Sequence, residues 1–494
     1  MRLGCALSLV LLVFGGHEET ALAQSPGSFT PTGSMTMPRF SHTSTLLADG
    51  RVLIAGGNIV CYIGPPSCLR PDRAELYDPA TGTFTATVSM TTAYAMGAVL
   101  LPDGKVLIGG YDITQTTASV EVYDPLTGGF NTAGKPVTLT AVYSATLLND
   151  GRVLLTGRVG NPPSLMYGAE LYDPIPGTFS PIANWPGQDT WVPVVLASGR
   201  VLLVTDESTS NSEIYDPATG TFSLTGSLGY FDGVPHETLL LNGRVSFTGG
   251  NDIGGNVSRT ELYDPATGTF ASTGSMTAAR NSHSATLLPD GTVLVAGGAG
   301  QSMCGQPPLA SVEIYDPATP GFSTTGSLAS ARLAHTATLL KNGQVLITGG
   351  EAFTAGCQPF PNGTPINGIS SAELYTPAVL VPAPVLFSVS GDGRGQGAIW
   401  HAQTGQIASP DSPAAAGEAL SMYTTSLSEG GVISPQVAVG ARLAEVLYFG
   451  PAPGYPGYYQ VNFRVPASVA RGPSVPVRFD YLNRPSNEVS TAVQ

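Results

Sequence analysis

Glu75-Leu76-Tyr77-Asp78-Pro79-Ala80-Thr81-Gly82-Thr83-Phe84 returns unchanged at Glu261 to Phe270. Its core, Glu–aliphatic–Tyr, recurs with Asp-Pro at Tyr77, Tyr123, Tyr172, Tyr215, Tyr263 and Tyr315, and as Tyr-Thr-Pro at Tyr375. A Phe follows each of the first six tyrosines at a fixed distance: Phe84, Phe130, Phe179, Phe222, Phe270 and Phe322. Such spacing marks one supersecondary unit used repeatedly. Within the unit, Glu and Tyr lie two apart and so share one face of a strand. Asp-Pro ends that strand, because Pro presets φ and Asp bonds the backbone two residues on. The Gly closes a short hairpin, and Thr-Phe opens the return strand.

A second hairpin precedes each of these. It reads Leu-Leu, a turn glycine (Gly50, Gly104, Gly151, Gly199, Gly243, Gly291, Gly343), then an aliphatic strand. That strand runs into Gly56-Gly57, Gly109-Gly110, Gly249-Gly250, Gly297-Gly298 or Gly349-Gly350, whereas the third and fourth units depart from the doublet. Together the hairpins give four short strands, a to d, per unit of roughly 50 residues.

The paired glycine, Glu–aliphatic–Tyr-Asp-Pro and closing aromatic resemble the kelch repeat of bacterial secreted propellers, in the galactose-oxidase-like superfamily. The resemblance implies a seven-bladed β-propeller over residues 24–378, with four strands per blade around a channel. The seventh copy lacks its last strand, but Gly27-Ser28-Phe29-Thr30-Pro31-Thr32-Gly33-Ser34-Met35 matches Gly268 to Met276. The N-terminal segment is therefore expected to supply the outer strand of blade seven and close the ring.

After a linker at 379–384 the repeat ends. Runs at Gln436 to Val439, Ala444 to Phe449, Tyr459 to Val465 and Val475 to Phe479 predict an antiparallel β-sandwich over 385–494. The stretch Gly457 to Pro466, with Ser486-Asn487, resembles an Ig-like domain at the C-termini of large secreted bacterial proteins. The fold class is thus all-β.

Residues 1–23 read as a signal peptide: Arg2, an apolar run from Leu3 to Phe14, and Ala21-Leu22-Ala23 as the cleavage site. No apolar run is long enough for a transmembrane anchor, so a secreted, periplasmic or cell-surface location is expected. A net charge of −14 argues against nucleic-acid binding. Past the signal, Cys61, Cys68, Cys304 and Cys357 make an even set that favours disulfides in an exported chain. Cys61 and Cys68 share one loop; Cys304 and Cys357 lie in equivalent loops of blades six and seven.

Strand order puts the start of strand a on the same face as the b–c loops. Three units carry Arg-x-x-His there, Arg39/His42, Arg280/His283 and Arg332/His335, and blade five offers His236. Blades two to four place Met96, Tyr143 and Trp191 at that spot. The longest b–c loops belong to blades one, six and seven and hold all four cysteines with Tyr62, Phe353 and Phe360. Two roles suit the Arg/His pairs: packing between blades, with Arg on a carboxylate and His hydrogen-bonded, or contact with a protein or glycan ligand at the loop face. The repeated Glu is expected to be structural, since every unit has it.

The expected function is a non-enzymatic interaction module of the cell envelope, without catalytic residues, metal or cofactor. The alternative is a galactose-oxidase-like copper radical oxidase of alcohols or aldehydes. That family's copper site uses two tyrosines, one cross-linked to Cys, and two histidines, one directly after a Tyr; this chain has no Tyr-His pair, and its last histidine, His401, falls early in the final domain.

Overall fold

The computed structural model describes residues 27–494 except 62–67, 72, 91–93, 113–116, 161–165, 184, 186–192, 205–211, 230–234, 253, 301–306, 353–365 and 429–430. Tyr62, Trp191, Cys304, Phe353, Cys357, Phe360 and the proposed signal peptide lie outside the described residues. The regular elements described are all strands.

Seven four-stranded antiparallel sheets form the blades of a propeller. Blade one is Thr43–Leu46, Val52–Ala55, Arg73–Asp78 and Thr83–Ser89. Blade seven is Thr336–Leu339, Val345–Thr348, Ala372–Thr376 and, as its outer strand, Ser28–Pro31. The N-terminal strand therefore closes the ring, as its match to Gly268–Met276 predicts, with Phe29 opposite Tyr375.

The repeated residues divide the work of holding blades together. Each Tyr of strand c faces the Phe of strand d, Tyr77 on Phe84 at a centroid distance of 4.8 Å and Tyr263 on Phe270 at 4.9 Å. In blades one, five, six and seven the phenol oxygen then reaches the previous blade, whereas the buried Tyr123 hydroxyl of blade two has no partner among the described residues. Tyr77 shares a hydrogen bond with Thr32 at 2.9 Å, Tyr263 with Thr225 at 2.7 Å and Tyr315 with Thr273 at 3.2 Å. In those blades Tyr does what Phe could not: one ring fills its own blade while its hydroxyl ties the one before. The Asp-Pro turn behaves as read, with Asp78 Oδ1 accepting from Ala80 N at 2.9 Å.

The C-terminal domain is one curled antiparallel sheet of eight strands around a core that includes Met422, Val461, Phe463, Val477 and Phe479. Its strands Gln436–Val439, Arg442–Pro451, Tyr459–Arg464 and Gly472–Tyr481 contain or nearly match the four predicted runs. The sheet curls into a half-barrel around this core, a sandwich-like arrangement consistent with the expected β-sandwich. This domain sits on the a–b turns. Lys341 Nζ donates to Ser486 O at 3.2 Å, Ser428 Oγ to Pro289 O at 2.9 Å and Val432 N to Leu241 O at 2.8 Å, while Arg478 donates to Pro102 O. The a–b face of the propeller therefore meets the C-terminal domain, and the b–c loops lie on the opposite face.

Candidate functional site at the b–c mouth

In blades one, six and seven the arginines are wholly buried. Arg280 Nη2 meets Glu313 Oε1 at 2.6 Å, and its Nη1 donates to Gly297 O at 2.8 Å and Ser311 O at 3.0 Å. Arg39 pairs with Glu75 at 2.7 Å and Arg332 with Glu373 at 2.8 Å. Burial lowers the pKa of all three guanidiniums, and the facing carboxylates partly offset it. Each Glu also accepts backbone N–H groups, such as Thr277 N on Glu313 at 2.8 Å. In blade three Glu170 binds Val137 N and Leu139 N with no arginine present. The Glu thus pins the entry to strand a, and the Arg is an added lock.

The histidines lie between blades. His42 Nε2 shares hydrogen bonds with Thr336 at 2.9 Å and Thr348 at 3.1 Å of blade seven. His335 reaches Ser284 of blade six, and His283 reaches Thr248 of blade five, both at 2.9 Å. The glycine doublets make room for them. A Cβ on Gly349 would come within 2.8 Å of the His42 ring, and one on Gly57 within 2.8 Å of His42 Cβ. Burial depresses all three imidazoles, helped at His42 by Arg39 and His335 and at His283 by His236; His335 falls to about 3. They are neutral at neutral pH.

His236 is not their equivalent. It pairs with Thr248 where Ser284 pairs with Ala296 and Thr336 with Thr348, one position later. That offset brings its ring to 5.8 Å from His283, closer than repeat-related histidines spread around a ring would stand.

Loops of blades one and seven do converge. Val60–Cys61 pairs with Cys68–Leu69 on one side and Ile366–Asn367 on the other. Cys61 and Cys68 are disulfide-bonded.

The arc of blades one to three holds what the loop lengths did not signal. There the wall is raised by longer strands, Tyr94–Leu100, Val106–Tyr111, Leu139–Leu147 and Val153–Val159, against four-residue strands a and b in blade one. The extensions carry tyrosines. Tyr94 stacks on Tyr111 at 4.8 Å and 18°, and Tyr143 lies 6.3 Å from Tyr167. The Arg70 guanidinium sits 4.5 Å above Tyr94 and 5.9 Å from Tyr111, and Asn58 Nδ2 donates to Tyr94 Oη at 2.9 Å. Burial, then Tyr94, pushes the Tyr111 phenol up to about 12. All four rings are half-buried. Tyr111 follows a glycine doublet where other blades have Asn58, Asn251, Ala299 or Glu351, so comparing that one column would have found it. Across the mouth, burial alone raises the Glu351 carboxyl to about 7.

Compared by sequence, no family model and no curated protein matches the chain. Compared by structure, it is similar to a fungal alcohol oxidase of the AA5 family solved in complex with copper. The likeness is one of fold. The TM-score is 0.58 and identity 16%, over 95% of this chain and 100% of that one.

The side chains were tested against copper, which needs imidazole, thiolate or phenolate donors meeting at one point. Among the described residues no group of three His, Cys, Asp or Glu is placed to hold a metal ion. His42, His283 and His335 commit Nε2 to hydroxyls in neighbouring blades, His236 Nδ1 lies 3.2 Å from Glu237 O, the Tyr94–Tyr111 pair is stacked under Arg70, and His401 is bound to Glu418 at 2.5 Å and Ser412 O at 2.9 Å in the C-terminal domain. Among the described residues these donors do not meet as a copper centre would require.

Proposed function

We propose that this protein is an exported kelch-type propeller that binds a protein or glycan ligand at the mouth ringed by its b–c loops. The observation that carries the reading is the Tyr94–Tyr111–Arg70 stack with Tyr143 and Tyr167 beside it. Tyrosine and arginine dominate binding energy where they are held rigid and partly desolvated, and here strand extensions hold the tyrosines, and the disulfide-closed loop of blade one holds Arg70, on the face away from the C-terminal domain. The ring, rather than long loops alone, positions the surface, so little order need be gained on binding. The arc of blades six, seven and one, with Arg39, His42, Arg280, His283, Arg332 and His335 beneath it, supports the neighbouring loops. Direct contact would fall to loop residues such as Tyr62, Phe353 and Phe360. The Ig-like character of the C-terminal domain and cell-envelope location belong to the same reading.

A second reading, oxidation of alcohols or aldehydes by a copper radical centre, is favoured by the AA5 fold likeness, which speaks for it more directly than for a non-enzymatic module. The donor test speaks against it. Copper loading of the purified protein separates the two. Stoichiometric copper with peroxide formed from an alcohol or aldehyde overturns the binding reading. Without turnover, a ligand found on glycan and secreted-protein arrays should lose about tenfold or more in affinity with Tyr111→Ala or Arg70→Ala, at an unchanged melting temperature. Unchanged affinity in both variants would remove the site from this mouth.

A further inference from the structure

The C-terminal domain contains a feature that the propeller reading does not use. Ala452-Pro453-Gly454-Tyr455-Pro456-Gly457-Tyr458 is two consecutive Pro-Gly turns, each delivering a Tyr. Tyr455 N donates to Ala452 O at 3.1 Å and Tyr458 N to Tyr455 O at 3.2 Å, and Ala452 N closes the loop on Tyr458 O at 2.9 Å. Gly454 and Gly457 have φ of 80° and 81°, the value that the third residue of a Pro-Gly type II turn requires. Both tyrosines are presented to solvent, 59% and 45% exposed, on a backbone with little freedom left to lose.

They do not stand alone. With Phe387 and Tyr423 they line an open recess of about 220 Å³, to which no other described residue contributes. Phe387 lies 5.7 Å from Tyr458 and Tyr423 lies 5.9 Å from Tyr455, each pair inclined at 59°, so the rings form walls rather than a stack. Trp400 continues the row, edge-on to Tyr423 at 5.4 Å. On the adjoining strand Gln460 sits opposite Tyr423 and donates to Asn462 Oδ1 at 2.8 Å. The residues that contact the propeller, among them Ser428, Val432, Arg478 and Ser486, are different ones.

We propose that this recess binds a sugar ring of a neutral glycan. Its lining has no charged group, so an anionic or cationic ligand would enter without a partner. It is smaller than the roughly 300–1,000 Å³ of a pocket for a drug-sized molecule, and its four rings are far fewer than the roughly 20–30 residues a side that a protein complex uses. A pyranose suits it: its C–H face packs on an aromatic wall, and its equatorial hydroxyls reach the phenol and amide groups at the edge. The double turn fixes the rings before the ligand arrives, and each Tyr has only two side-chain torsions to immobilise.

The test uses the full chain, titrated calorimetrically and by affinity electrophoresis against xyloglucan, glucomannan, galactan and amylose, with polygalacturonate as the anionic control. At least one neutral polymer should bind. Tyr455→Ala should weaken that binding about tenfold, Tyr455→Ala with Tyr458→Ala should abolish it, and Leu126→Ala, on an exposed turn of the propeller, should leave it unchanged. Melting curves check that each variant folds; if the double variant does not, the single one decides. Failure of every neutral polymer to bind, binding of polygalacturonate alone, a Tyr455→Ala variant that binds like the parent, or an equal loss in Leu126→Ala would each overturn the proposal.

Discussion

Phe29 packs against Tyr375 with ring centroids 5.0 Å apart, in the same cross-strand register that joins Tyr77 to Phe84 within blade one. The two come from opposite ends of the propeller sequence, so this contact is the ring's clasp. Thr32 and Gly33 extend it, through Thr32 to the Tyr77 hydroxyl and Gly33 N to Gly82 O at 3.0 Å. A chain starting after Met35 is expected to lose about 4 kcal/mol or more, since it exposes Phe29's partner and opens an edge on blade seven. Urea midpoints check this, and a truncated chain that unfolds with the full-length protein would show that the clasp is dispensable.

The Arg280–Glu313 pair is buried on both sides. Arg280→Met leaves the Glu313 carboxylate facing an apolar side chain and should cost about 3–5 kcal/mol. Glu313→Gln should cost less, because the amide oxygen can still accept from Thr277 N. Equal losses in the two variants would mean that the charge is not what matters.

Stability should also depend on pH in a fixed direction. The folded-state pKa of His335 is about 3, below the ordinary 6.5, and His42 and His283 are depressed too. Below about pH 6.5 the unfolded chain takes up protons that the folded chain refuses, so stability is full above that pH and falls as acid is added. Each such histidine contributes a slope of about 1.4 kcal/mol per pH unit. Melting temperatures from pH 7.5 to 4.5 should drop, and less steeply in His335→Gln. Parallel curves for the two proteins would contradict this.

Ser41, Ser282 and Ala334 precede the three histidines with φ near 50°, a left-handed conformation that non-glycine residues adopt at a cost. Ser41 N donates to Ala334 O at 2.8 Å and Ala334 N to Ser282 O at 2.9 Å, which holds the strained residues in place across blades. Ala334→Gly should therefore be neutral or up to about 1 kcal/mol stabilising, against the usual penalty for glycine. A clear loss of stability in thermal melts would place the strain elsewhere.

The propeller was legible because its code is local and repeated. Tyr, Asp-Pro, Gly and Phe each perform one task within a hairpin, and the orphan Gly27–Met35 copy names its own partner. The mouth was less legible. Loop length drew attention to blades one, six and seven, whereas the tyrosine wall arises from strand extension in blades two and three, where Tyr111 replaces the Asn found at Asn58 or Asn251. The position of His236 depended on a register shift of one residue, which spacing alone does not reveal. In the last domain the strands were readable, but the curl of one sheet around its core is set by long-range pairing such as that of Gly472–Tyr481 with Val489–Val493.

The clasp also imposes an order of events. Residues 28–31 leave the ribosome first among the propeller strands, and Ala372–Thr376, the strand they must join, leaves last. Until then blade seven lacks a strand and Phe29 has no ring to rest on. The earliest strand must wait, unpaired, while six blades are made, so ring closure is the last strand pairing the chain can complete.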